Sequence, residues 1–353
     1  MTLAADAAAP APRPLSVAFA ADVEPVDWDA RVARCGGGFF QCHAYARFEA
    51  RRGARPLYIA IDAPGAGEVG VAAAVLARPR WWPFSRWCAT ATLGSLPALR
   101  AGSGVDAVVA LRAVESALAR IGVLRIRIAG FDCPHSAAVL AQLGYAPGAR
   151  SEFYVDLEAP LAEVEARFKG ARRTDIRKAE KLGVCTGVET GIESWDLLDR
   201  FERESLGRRG VAIDADGESA ARACHRLLEP AGRALLFVSR IGGEPVNAAA
   251  FAVFGRRAYY LYSGSSAAGN RAAGPAHLLW TAMREFKERD IGVLNLGGVK
   301  DPADDDDPNT GLFRFKRNFG AEVVAQPGGV RELPGPGAVL DALMRSTRRA
   351  LRA

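Results

Sequence analysis

Apolar and polar positions along the chain alternate with two different periods, and the two periods follow one another in the same order twice. A period of two predicts strands; a period near 3.6 predicts helices. In the first half, strands are expected at Leu15–Ala20, Pro56–Asp62, Val69–Ala77, Cys88–Leu96 and Leu124–Ala129. Helices are expected at Trp28–Cys35, Gln41–Arg51, Val105–Ile121 and Ser136–Leu143. In the second half, strands are expected at Val184–Thr190, Ala234–Arg240, Glu244–Phe254, Ala258–Ser263 and Val293–Gly297, with helices at Trp195–Leu206, Ser219–Leu228 and Pro275–Arg289. Gly242-Gly243 between two of these strands is a hairpin signal. Ile121-Gly-Val-Leu124 and Ile291-Gly-Val-Leu294 are identical, and each ends a long helix and begins a strand. The matched order implies an α+β chain of two similar domains, 15–148 and 149–335, joined near Ala146–Arg150. An Ala/Pro-rich stretch, 1–14, reads as a disordered tail, and 336–353 as a basic C-terminal helix with Arg345, Arg348, Arg349 and Arg352.

Composition narrows the function classes. At 353 residues and 49% apolar, two ordinary cores can form. A net charge of +6 and a pI near 9.1 favour polyanionic partners, although many Arg-rich globular proteins carry such a surplus. The six cysteines contain no Cys-x-x-Cys pair and the four histidines are scattered, so no zinc site is expected. Dispersed cysteines, no signal pattern and no apolar run of membrane-spanning length suggest a cytoplasmic protein. Arg78-Pro-Arg-Trp-Trp-Pro-Phe-Ser-Arg-Trp87 mixes aromatics with cations; it suits peripheral contact with a membrane surface or packing on its own domain.

Lys169, Arg173, Arg177 and Lys181 recur every four residues and form one stripe on a helix, flanked by Arg172 and Lys178. Phe168, Ile176 and Ala179 lie on another face and would dock it. Like charges four apart repel by a few tenths of a kcal/mol, and only Asp175 and Glu180 offset them locally. The stripe is either a solvated face or a surface for phosphates, as in a tRNA backbone or a diphosphate.

The densest signal is Gly311-Leu-Phe-Arg-Phe-Lys-Arg-Asn-Phe-Gly320, which follows Val293-Leu-Asn-Leu-Gly-Gly-Val299 and an acidic loop. This arrangement resembles the FemABX family, aminoacyl-tRNA-dependent transferases that add amino acids to peptidoglycan precursors. The resemblance implies two tandem GNAT-like (N-acetyltransferase-type) domains, each a mixed, mostly antiparallel sheet flanked by helices. It also implies that Lys316 lies at the acyl-transfer centre. There an amine attacking an ester builds an oxyanion that a fixed cation stabilises. The bland alternative is that Phe313, Phe315 and Phe319 fill a core while Lys316 faces water.

Other segments extend the resemblance. Phe40-Gln-Cys-x-x-Tyr-Ala-Arg47 puts Arg47 at the family's diphosphate-contacting position. Ser205-Leu-Gly-Arg-Arg-Gly-Val211 puts Arg208 at a second basic position, with Arg209 where the family has Asp. Tyr259-Tyr-Leu-Tyr-Ser-Gly-Ser265 resembles a site strand, with Tyr260 and Tyr262 expected on one side of it. With Phe315, these are the substrate-binding candidates. No Ser/His/Asp or Cys/His set emerges, so direct aminolysis is implied, with no tightly bound cofactor and aminoacyl-tRNA as co-substrate. One motif competes. Arg271-Ala-Ala-Gly-Pro-Ala276 fits the GNAT diphosphate turn, with Arg271 and Gly274 at its key positions, which keeps acyl-CoA open as donor. The same stretch, Asn270 through Trp280, also resembles a FemABX pattern.

Overall fold

The computed structural model describes residues 15–78, 88–134, 136–148, 150–208, 210, 218–300, 307 and 310–335. The Ala/Pro-rich stretch 1–14, the stretch 336–353 expected as a basic helix, the aromatic segment 79–87, Arg209 and the acidic run 301–306 lie outside them.

The first half contains β1 (Ser16–Ala20), α1 (Pro25–Arg34), α2 (His43–Ala50), β2 (Arg55–Ala63), β3 (Gly67–Ala77), β4 (Ala89–Leu93), β5 (Ala98–Leu99), α3 (Ala107–Arg120), β6 (Val123–Ile128), α4 (Ser136–Gln142) and β7 (Ala146–Pro147). Then come β8 (Ser151–Asp156), α5 (Leu161–Ala166), α6 (Gly170–Lys181), β9 (Val184–Glu189), α7 (Ile192–Arg208), α8 (Ala220–Leu227), β10 (Ala234–Ile241), β11 (Glu244–Phe254) and β12 (Arg257–Ser265). The chain finishes with α9 (Ala267–Arg271), α10 (Gly274–Glu288), β13 (Val293–Val299), α11 (Thr310–Arg317), β14 (Glu322–Ala325) and β15 (Gly329–Glu332).

Local chemistry explains the boundaries. Asp106 caps α3 by accepting from Val108 N at 2.7 Å and Val109 N at 3.4 Å. Ala110, Leu111, Val114, Ala117 and Leu118 then bury one helix face. Gly242 and Gly243, at φ +57° and +88°, make the β10–β11 hairpin turn that the sequence signals.

The two sheets share one plan. The first runs β1-β2-β3-β4-β6-β15-β7, with β5 on β3; the second, read from its far edge, runs β9-β10-β11-β12-β13-β8-β14. In both, three antiparallel pairings are followed by one parallel pairing and two more antiparallel ones. The sixth place is filled by exchange. β8, which follows the first half, enters the second sheet, and β15 returns from the chain's end to pair with β6 and β7. The expected second domain, 149–335, therefore gives its last strand to the first sheet.

Each sheet buries one face against its own helices. Ile59, Leu93, Ile126 and Leu111 belong to the first such core; Phe153, Phe251, Leu294 and Phe286 to the second. A third core lies between the halves, where Trp28, Phe39 and Tyr58 share a cluster with Trp195, Phe201 and Ala250. The two units thus share buried apolar surface, which favours one fixed relative orientation.

Candidate active site

β12 and β13 pair in parallel only at Arg257↔Val293, Ala258↔Leu294 and Tyr259↔Asn295. Beyond Tyr259 the strands part, although β12 continues to Ser265 and β13 to Val299. The wedge opens into a cavity of about 400 Å³ between the halves. β12, β13, the start of β8 and α11 form one wall; Phe40, Tyr45, Phe48 and Glu49 form the other.

Lys316 projects from α11 into this cavity and is 5% exposed. Its Nζ lies 5.9 Å from the ring centroids of both Phe153 and Tyr260. Burial, and then the nearby Arg150 guanidinium, lower its pKa to about 8, while Glu152 acts in the opposite direction. The glycines of β13 make room. Gly297, at φ +74°, sits in a bulge where any added Cβ would stand 3.6 Å from the Lys316 Nζ. A Cβ at Gly298 would come within 2.0 Å of Arg150 Nε. The Leu-Gly-Gly run is the gap through which two cations approach the strand.

Sequence patterning does not single out Arg150 and Glu152. Glu152 is 1% exposed and saturated: its oxygens accept from Arg150 Nη2 (2.8 Å), Tyr154 OH (2.9 Å), Asn295 Nδ2 (2.8 Å) and Asp132 N (3.0 Å). Asn295 Oδ1 in turn accepts from Gly297 N at 2.7 Å, so the same carboxylate orders the bulge beside Lys316. Asp132 ties in the first half, accepting from Arg257 Nη2 (2.5 Å) and Tyr259 OH (2.8 Å). The alternation in Ser151-Glu-Phe-Tyr-Val-Asp156 is the signal that could have found this strand: Phe153 and Val155 enter the core, and Glu152 and Tyr154 enter the polar network.

The other sequence candidates scatter. A bulge at Leu261 breaks the expected alternation of the tyrosines: Tyr260 pairs with Phe251, Tyr262 with Ala250. Tyr260 therefore packs in the second-sheet core and Tyr262 in the core between halves, 6.3 Å from Phe48, although both line the cavity. Phe315 meets Phe319 edge-to-face at 5.3 Å, under the Arg172 guanidinium, and lines a neighbouring cavity of about 250 Å³. Arg47 is exposed on α2 and does not line the central cavity. Arg208 donates to Ser265 O, and to Ser205 Oγ at 3.0 Å, fastening α7 to the end of β12.

Along α6, Lys169, Arg177 and Lys181 are exposed, but Arg173 donates to Phe168 O (2.8 Å) and Ala166 O (3.2 Å). Arg173 thus secures the α5–α6 junction. Phe168, Ile176 and Ala179 are buried, as the helix face requires. Arg271 is exposed at the end of α9, and Gly274 is buried at the start of α10, where an added Cβ would meet Asn247 Oδ1 at 2.2 Å. Among the described residues no group of three or more His, Cys, Asp or Glu is placed to hold a metal ion, and no helix is long and apolar enough to cross a membrane.

A Gly-Gly bulge, an inward lysine and a parted strand pair all fall within one segment that has known relatives. Residues 237–336 match the FemAB family model. The FemAB match takes in β12, α10, β13 and Lys316, and it shows the family likeness carried by the motifs. The crystal structure of FemX has the same fold at TM-score 0.73 and 16% identity, over 90% of this chain and 97% of FemX. L-PGS from Bacillus licheniformis matches at TM-score 0.56 and 15% identity, over 94% and 97% of the two chains. A tandem GNAT protein from the clavulanic acid biosynthesis pathway matches at 0.55 and 16%, over 91% and 99%. At these identities the structures show the fold, two GNAT-like units in tandem. No curated protein matches the chain in sequence. The FemAB match on this scaffold supports an acyltransferase.

Proposed function

We propose that the chain is an aminoacyltransferase of the FemABX type. It moves an amino acid from aminoacyl-tRNA to an amine of a peptide or peptidoglycan-precursor-like acceptor. The observation that carries this reading is the buried Lys316 ammonium at the mouth of the parted strands, inside the FemAB-matching segment. The acceptor amine attacks the ester carbonyl, and the developing oxyanion lies beside Lys316. Removal of water strengthens that interaction, which is worth several kcal/mol of barrier in comparable sites. Collapse of the intermediate forms the amide and releases the tRNA ribose hydroxyl. The exposed cations of α6, Lys169, Arg177 and Lys181, would track the tRNA backbone, and Arg47 an acceptor phosphate.

One observation favours a second donor. The neighbouring cavity is lined by Asn270 of α9 and by Pro275 at the start of α10, and Asn247 Oδ1 is buried there without a partner. A helix N-terminus with a free acceptor beside it suits a diphosphate and an amide-bearing arm, as in acyl-CoA. Purified protein is therefore incubated with an amine acceptor and either charged tRNAs or a panel of acyl-CoAs. Amide formation from charged tRNA is the expected result; formation only from acyl-CoA transfers the reaction to the second donor.

A further inference from the structure

The central cavity is electrically divided. Its second-half wall carries Lys316 and Arg150, whereas the first-half wall carries one carboxylate, Glu49 on α2. Glu49 also lines an adjoining cavity of about 130 Å³, and its side chain is 38% exposed. The neighbouring cation holds it only by a long ion pair, without a hydrogen bond. Arg51 Nη1 stands 3.8 Å from Glu49 Oε1 but donates to Phe48 O at 2.6 Å, and its guanidinium stacks 3.8 Å from the Phe48 ring centroid. Among the described residues, no hydrogen bond reaches the Glu49 carboxylate. The other acid in the cavity, Glu152, already accepts four.

Around Glu49 the wall is aromatic: Phe40, Tyr45, Phe48 and Phe131. An open carboxylate among ring faces is the chemistry that recognises an organic cation. We infer that Glu49 forms an ammonium subsite, which receives the protonated primary amine of the acceptor and takes its proton before attack. This inference rests on the proposed aminoacyl transfer for its chemical step. The alkylammonium gives one proton to the Glu49 carboxylate and becomes a neutral amine. Its lone pair forms the C–N bond at the ester carbonyl. The ester C–O bond breaks, and the ribose oxygen leaves with the second amine proton. Glu49 then returns its proton to solvent. Burial raises the Glu49 carboxyl above its ordinary range, outweighing Arg51, Arg52 and Arg127, which suits a group that must hold a proton briefly.

The test uses the full chain and n-butylammonium as probe. Calorimetry should show binding to the wild type, at least tenfold weaker binding to Glu49→Gln, and retained binding to Lys316→Met, with circular dichroism confirming that both variants fold. In transfer from aminoacyl-tRNA at neutral pH, Glu49→Gln should lose about 100-fold with n-butylamine. The loss should be at least tenfold smaller with hydroxylamine, which is already largely unprotonated. A wild type that does not bind n-butylammonium, or an E49Q variant that binds it equally well, overturns the subsite. Equal losses with both nucleophiles remove the proton-accepting role. If binding depends on Glu49 but no charged tRNA serves as donor, the subsite stands and the donor reading falls.

Discussion

The two sheets follow one pairing plan, yet only in the second does the parallel strand pair part. In the first, β4 and β6 pair over the whole of β4, from Ala89↔Val123 to Leu93↔Ile128. The zipper continues past the strands, with Ala129 N donating to Leu93 O and Phe131 N to Gly94 O, both at 2.8 Å. In the second, the equivalent pair ends after three positions, and a bulge on each partner, at Leu261 and at Leu296-Gly297, turns the backbone aside. A duplicated scaffold thus keeps one wedge closed and one open. The closed unit contributes its loop after β6 and its helix α2 as the opposite wall. Under the proposed function, chemistry falls to the open copy of this plan and part of the recognition to the closed one.

The largest test of that division is Lys316→Met. If the open wedge is the reaction centre, acyl transfer should fall about 100- to 1,000-fold, the scale of losing one oxyanion partner. Stability should move the other way. The lysine's pKa is lowered from its ordinary range to about 8 in the fold, so folding penalises its charged form. That penalty is fully present below pH 8 and is relieved as pH rises from about 8 towards the unfolded value. Removing the charge should therefore stabilise the protein at pH 7 by on the order of 1–3 kcal/mol. Thermal unfolding and turnover measured on the same sample check both signs; parallel loss of both would make Lys316 a packing residue.

Next in size is Asp132→Ala, which cuts the joint between closed and open units. Asp132 comes from the loop after β6 and accepts from Arg257 and Tyr259 on β12. Its loss should cost about 2 kcal/mol, less than for a wholly buried pair because the Arg257 side chain is 40% exposed. Denaturant titration measures it. No change in midpoint would mean that the apolar core alone holds the units together.

Much of this division was legible in the residues, but unevenly. The strands and helices with long periodic patterns, such as Glu244–Phe254 and the helix ending at Ile121, stand where the sequence places them, within a residue or two. The Gly-Gly, Phe-x-Phe-Lys motif singles out Lys316. β15 was not legible, because Gly329-Val-Arg-Glu332 is four residues long and becomes a strand only through β6, about 200 positions away. The bulges escaped for a related reason: Tyr260 and Tyr262 alternate perfectly along the sequence, and only the register shift against β11 at Leu261 separates them. Arg150 and Glu152 are ordinary charged residues until Gly298 and Asn295 approach them.

A pH profile sharpens the comparison further. With hydroxylamine as acceptor, the nucleophile is already largely neutral above pH 7, so between pH 7 and 9 the rate should follow the Lys316 ammonium and halve near pH 8. Activity that is flat through pH 9 would remove the charged lysine from the mechanism.

The smallest expected effect concerns α6, which fills the β8–β9 connection and has no counterpart among the described elements of the first unit. If the open unit alone receives the donor, its added helix is the natural docking face for tRNA phosphates. Arg173 is a poor probe, since its guanidinium secures carbonyls at Ala166 and Phe168 and its loss would disturb the helix junction. Arg177 and Lys181 are exposed and leave the fold alone. Changing both to Glu should weaken tRNA binding several-fold at moderate salt. It should also flatten the dependence of log affinity on log salt, by about 0.7–0.9 for each phosphate that the helix no longer neutralises. The effect should be the same for every tRNA sequence, because backbone phosphates carry no base information. An unchanged slope would return the stripe to plain solvation, and would leave the donor to approach from the α10 side of the wedge.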